Sequence, residues 1–157
     1  GVISPEQLWS EWYYDMRQGL PAATDGGLDG TSSWGRTYWG GAIFWLVAEL
    51  EIRDKTKGRY SLRDCLRTVM DAGGNIAVRW SAARFVDACD AALPEPIVRP
   101  LYERHAREAV DVDLDAIFAR LGVRRARAGV ELDDDAPAAG LRRAITDAEE
   151  RVALTER

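Results

Sequence analysis

Apolar residues recur along this chain with a helical period, and short clusters of Gly, Pro, Ser and Asp interrupt them. The first segment opens with Ser4-Pro5-Glu6-Gln7: a capping serine, proline at the first helical position and an acid in the first turn. It predicts a helix that runs to about Gln18 and ends at Gly19. Leu8, Trp12 and Met16 share one face of it, and Trp9 and Tyr13 the neighbouring one. Residues 19–33 are rich in Gly, Asp, Ser and Thr, with Pro21 near the start, and read as a loop. A connection of this length is often functional or mobile. Ser32 or Ser33 then caps a helix from Trp34 to Lys57, closed by Gly58. Every residue from Ala42 to Ala48 is apolar, the mark of a central helix with no wet side. Gly40 and Gly41 would each cost about 1 kcal/mol against alanine in an exposed helix. Their presence implies that another backbone or a ligand comes close.

Shorter elements follow. Ser61-Leu62-Arg63-Asp64 starts a helix with a capping-box pattern. That helix carries Leu62, Cys65, Leu66, Val69 and Met70 and stops at Gly73-Gly74. Ser81 to Leu93 is another, with Phe85, Val86 and Cys89 inward, ended by Pro94. Ile97 to Ala109 is a fifth, kinked or restarted by Pro100. Leu114 to Leu121 is short and stops at Gly122. Residues 123–132 alternate weakly around Gly129 and suggest a small hairpin. Residues 138–152 read as a last helix with a charged outer face. The sum is an all-α fold, a helical bundle or stack with a small β-hairpin near residues 123–132. It divides into a helical body over residues 1–125 and a tail over 126–157, hairpin and final helix packed on it.

Charge and composition narrow the partners. The chain has 157 residues, 21 basic and 26 acidic, for a net charge of -5. That balance argues against nucleic acid, and no basic stripe with interleaved aromatics offsets it. The Arg124-Arg125-Ala126-Arg127 cluster is short, is followed by Asp133-Asp134-Asp135, and reads as a solvated turn. No apolar run reaches the roughly 18 residues that span a bilayer, so no membrane partner is expected. Cys65 and Cys89 each fall in a helical pattern and read as buried free thiols. The leading Gly1 suggests a piece cut from a longer protein.

No complete catalytic set is visible. The one histidine, His105, cannot build a multi-ligand metal site alone and reads as an exposed or hydrogen-bonded helical residue. It has no recognisable Ser-Asp partners. Asp25-Gly-Gly-Leu-Asp29-Gly30 glances at a calcium loop, but its twelfth position is Arg36, where a bidentate acid is needed. Gly26-Gly27 and Gly40-Gly41 follow no strand and make no phosphate loop.

One stretch says more. Tyr38-Trp39-Gly40-Gly41-Ala42 leads an apolar helix into Glu49-Leu50-Glu51-Ile52-Arg53, and then Thr56-Lys57-Gly58-Arg59-Tyr60-Ser61-Leu62-Arg63-Asp64. This resembles the C-terminal region of the glycyl aminopeptidase family of zinc metallopeptidases: Y-x-x-G-A, an apolar helix ending D/E-L-x-I-R, then T-x-G-x-x-S-L-D-D. Tyr102-Glu103-Arg104 and Leu114 to Val123 are loosely similar to later helices of that family, so the resemblance covers about residues 34–125. It implies that Tyr38 matches the tyrosine whose hydroxyl hydrogen-bonds the oxyanion while zinc-bound water attacks the scissile carbonyl. Zinc, its H-E-x-x-H ligands and a downstream glutamate would belong to an N-terminal catalytic domain of the same parent chain, with a peptide as substrate. No cofactor is then expected in this chain itself. Trp34, Arg36 and Trp39 flank Tyr38 and could wall a substrate cleft, or serve core or interface packing. Relatives often carry lysine where this chain has Gly40, which puts a charged substrate contact there in doubt. Six tryptophans, clustered early, point to a surface normally covered by another domain. The alternative is a non-catalytic helical scaffold whose apolar patch docks a partner.

Overall fold

Local capping explains most of the helix starts. The structure, a computed structural model, describes residues 3–146. In α1 (Pro5–Asp15), Ser4 Oγ accepts the Gln7 amide at 3.2 Å and Gln7 Oε1 accepts the Ser4 amide at 2.9 Å, a reciprocal box. The helix is shorter than expected, because its last turn tightens into a 3-10 turn over Met16–Gly19. α2 (Trp34–Thr56) starts on Ser33, whose Oγ accepts the Arg36 amide. Its reversal falls on Lys57, at φ 55, one residue before the expected Gly58, which follows at φ 74. α3 (Leu62–Asp71) begins where the Ser61 amide and hydroxyl both donate to the Asp64 carboxylate, at 2.8 and 3.0 Å. α4 (Ala82–Asp90) starts on Ser81 and ends three residues earlier than Leu93, in a run of turns. α5 (Val98–Arg107) runs through Pro100 without a break, since proline in the first turn forfeits no helical hydrogen bond. α6 (Leu114–Leu121) has the expected limits and stops on Gly122 at φ 75.

Seven α-helices and one antiparallel hairpin stand among the described residues, an all-α fold with a small β-hairpin. The hairpin pairs β1 (Val123–Arg125) with β2 (Val130–Leu132), Val123 opposite Leu132 and Arg125 opposite Val130. Residue 125 closes β1, so the pairing joins the segments on either side of it. Contacts among the described residues divide the chain into one unit drawn from Gly1–Gln18 and Val112–Arg157 and another formed by Gly19–Asp111.

The first unit holds α1, α6, the hairpin and α7 (Ala139–Thr146). Tyr13 packs on Phe118 with ring centroids 5.2 Å apart, and Arg17 pairs with Asp115 at 2.6 Å. Arg142 of the last helix is turned inward. It is buried, and its Nη1 donates to the carbonyls of Leu121, Gly122 and Asp133 at 2.9–3.2 Å, with Nη2 on Asp134. Those carbonyls lie at the end of α6 and the end of β2, so one guanidinium ties three elements. The expected continuation of this helix to residue 152 lies outside the described residues past 146.

The second unit is built around α2, of which no residue from Ala42 to Ala48 is exposed. Its core joins Phe44 and Ile52 of α2 to Cys65 and Val69 of α3, Val86 and Cys89 of α4, and Val98 of α5. Both thiols are free and buried; their mutual contact and burial push the Cys65 thiol upward. Two carboxylates anchor helix starts from afar. Glu49 accepts the Leu62 amide at 2.6 Å and Arg53 Nε at 2.6 Å, which fixes α3 to α2. Asp90 accepts the amides of Ile97, Val98 and Arg99 at 2.7–2.9 Å, which satisfies the orphan donors of α5. Of the apolar residues of α3, Cys65 and Val69 carry the burial, while Leu66 and Met70 are exposed.

Candidate functional site

The start of α2 gathers the residues that the sequence singles out. Arg36 lies one turn into the helix and is only 7% exposed. Its Nε donates to Asp25 Oδ2 at 2.8 Å and its Nη1 to the Gly19 carbonyl at 2.5 Å. The guanidinium holds the Asp25 carboxyl below the usual carboxylate range, chiefly through that hydrogen bond. The segment that glanced at a calcium loop therefore supplies an ion-pair partner for the helix instead. Gly40 explains the rest of the clamp. A Cβ there would strike the Leu28 and Arg36 side chains, and a Cβ on Gly19 would strike the backbone of Trp39 and Gly40. The backbone approach inferred from Gly40-Gly41 is real at Gly40, where the loop crosses the helix. At Gly41 there is open space.

The loop over residues 19–33 is correspondingly fastened. Leu28 packs on the core from a 3-10 turn, Leu28–Gly30. Gly27, at φ 105, lies against the backbone at the end of α5, and only glycine fits there.

Tyr38 stands two residues beyond Arg36, on the other side of the helix, and faces outward, 56% exposed. Trp34, 71% exposed, stacks on it with centroids 5.1 Å apart and planes 6° from parallel. Trp39 meets Tyr38 edge-on at 5.0 Å but is itself buried. The four residues thus separate. Tyr38 and Trp34 form an exposed aromatic pair backed by buried Trp39, and Arg36 is buried separately on Asp25 and the Gly19 carbonyl. An exposed phenol so backed can donate a hydrogen bond to an oxygen brought from outside, and its partner ring limits its rotamers.

His105 departs from its expectation. It is 6% exposed, packs edge-on against Phe44 at 5.5 Å, and has no hydrogen-bond partner among the described residues. Burial, with the charges of Arg104 and Arg36, holds its imidazole below the usual histidine range, hence neutral. Nothing in the local pattern Tyr102-Glu103-Arg104-His105 distinguishes a buried from an exposed position. The one signal was spacing: His105 follows Leu101 by four residues, on the face that α5 turns to the core.

Among the described residues no three His, Cys, Asp or Glu side chains gather into a group that could hold a metal ion. These residues do not fit a zinc site. No described helix is long and apolar enough to cross a membrane. No family model, curated protein or solved structure matches the chain.

Proposed function

We propose that the chain is the helical C-terminal domain of a zinc aminopeptidase-like protein and that Tyr38 is its contribution to the reaction. The observation that carries this reading is the exposed phenol on an immobilised helix start, 56% open to solvent and held between Trp34 and Trp39. Such a donor stabilises an oxyanion with little reorganisation, because its position is set before the charge develops. Trp34 narrows the approach to the hydroxyl from one side. Metal binding and the remaining substrate contacts belong, in this reading, to an N-terminal catalytic domain carrying H-E-x-x-H and a further glutamate. Arg36 and Trp39 then serve as positioning residues for the exposed pair.

The deciding experiment is steady-state kinetics on the parent protein with Tyr38→Phe, together with its melting temperature. Lost turnover with an unchanged melting temperature supports the reading. Normal turnover with a lowered melting temperature makes Tyr38 a packing residue and removes the proposal. The 157-residue chain alone should hydrolyse no peptide and bind no stoichiometric zinc; chelator-sensitive aminopeptidase activity from it would overturn the division of labour.

One observation favours the scaffold reading. Leu66 and Met70 of α3, with Ile76 and Val78 just beyond, leave an exposed apolar patch. Glutamate at Leu66 and Met70 discriminates: loss of association with unchanged turnover assigns the patch, and not Tyr38, to function.

A further inference from the structure

A cleft of about 340 Å³ opens in the unit Gly19–Asp111, bordered by α2, α4, α5 and the Leu28–Gly30 turn. That volume falls within the range of small-molecule sites, about 300–1,000 Å³. Its walls are apolar and largely aromatic. Phe44 and Trp45 meet edge to face at 4.8 Å, and Trp45 and Phe85 at 5.8 Å. Four side chains bring polar atoms: Tyr102, Trp45 through its indole N–H, Asp29, which is exposed, and His105. His105 is the informative one. The residue is only 6% exposed, borders the cleft and has no side-chain partner among the described residues, yet its nitrogens are not among the fully buried orphan atoms, so they are left to the cleft and its solvent. A neutral imidazole offers one acceptor nitrogen and one N–H donor.

We propose that this cleft binds a small, flat, uncharged molecule with one hydroxyl, a phenol-like ligand whose O–H donates to His105 while its ring packs among Trp45 and Phe85. The edges and faces presented by those two rings suit an aromatic guest. An anionic guest is disfavoured by Asp29 and by an imidazole that carries no charge. A charged guest of either sign would lose its hydration to walls that are mostly apolar. This site is independent of Tyr38 and of any peptide chemistry.

The chain contains a single histidine, so its imidazole nitrogen signals in NMR have one source. The probe is para-ethylphenol, titrated into the chain; para-ethylanisole has nearly the same shape but cannot donate. The phenol should move the His105 nitrogen signals saturably and bind about five- to tenfold more tightly than the anisole. His105→Leu should bring the phenol down to the anisole's affinity and leave the anisole unchanged. Val86→Trp, which fills the cleft, should abolish both. Should that variant not fold, intermolecular NOEs from the probe to the Trp45 and Phe85 rings in the unmodified chain locate it instead. Equal affinities for the two probes, no binding, unmoved imidazole signals, or NOEs to other rings would each overturn the proposal.

Discussion

The mouth of α2 and the inner face of α5 present polar-tipped rings under opposite conditions. At the mouth, Tyr38 is exposed while the helix turn that carries it is tied elsewhere: Arg36 to Asp25, Arg36 to Gly19, and the Gly40 backbone to the loop. On α5 the helix start is tied through Asp90, but His105 two turns later is buried and untied. A solvated phenol loses nothing by waiting for a partner, because water serves in the meantime. The His105 imidazole has only the cleft to offer its nitrogens a partner, which is why it points to a ligand while Tyr38 points only to availability.

The contrast is sharpest in catalysis. In the parent protein, Tyr38→Phe should lower kcat by about a hundredfold to a thousandfold, the usual range for one oxyanion donor. KM and melting temperature should stay nearly constant, since the hydroxyl makes no hydrogen bond to the described residues that could be lost. A drop confined to KM would mean that the tyrosine holds substrate and not the transition state.

Removing the tie should show as stability instead. Arg36→Met keeps much of the stem's packing but strips the donors from the Gly19 carbonyl, and should cost about 3 kcal/mol in urea unfolding. The Asp25 carboxyl should return to the ordinary carboxylate range. Any catalytic loss in this variant should follow the loosened Trp34–Tyr38 pair, so kcat should fall less than in Tyr38→Phe. An unchanged urea midpoint would show that the clamp is ornamental.

Asp90→Ala tests the other region. It leaves three α5 amides without their acceptor and should destabilise by about 2 kcal/mol. Because α5 carries Tyr102 and His105, their side-chain signals should broaden while those of Trp34 and Tyr38 hold. Equal broadening in both regions would mean that they are not separately anchored.

What could be read in advance follows the range of the interactions. Helix starts at Ser4, Ser33, Ser61 and Ser81 were legible because the cap and its amide lie three residues apart. The hairpin at 123–132 and the stop at Gly122 were legible for the same reason. The burial of Arg36, Arg142 and His105 was not. Each depends on atoms brought from other elements, and helical periodicity treats Arg and His as outward residues by default. Gly40 and Gly41 are identical in sequence, and only the path of the Gly19 loop makes one of them essential. At the site, Tyr38 was suggested by a resemblance and Trp34 by its place beside it, whereas the cleft beside His105 had no linear signature at all.

The smallest expected effect is also the most selective. The folded imidazole of His105 lies below its unfolded value of 6.5, because burial and the Arg104 and Arg36 charges oppose its proton. Above that pH both states are neutral and the residue contributes nothing to pH dependence. As pH falls through 6.5, the unfolded chain takes up a proton that the folded chain refuses, so stability declines. The decline has a slope of at most one proton, about 1.4 kcal/mol per pH unit, and levels off below the folded value. The groups facing His105 fix this sign: Arg36, already matched by Asp25, with Arg104, Tyr102 and exposed Asp29. Asp25, Asp115 and Glu6 are themselves lowered from 3.8, 3.8 and 4.5, so they titrate beneath this window. Urea unfolding between about pH 5 and 7 should therefore show a loss of stability on acidification that His105→Leu flattens. Saturating para-ethylphenol should steepen it, since a ligand that donates to the neutral nitrogen resists the proton further. A profile that rises on acidification, or that ignores His105→Leu, would mean that the imidazole is neither dry nor alone, and the contrast with Tyr38 would fail at its inner end.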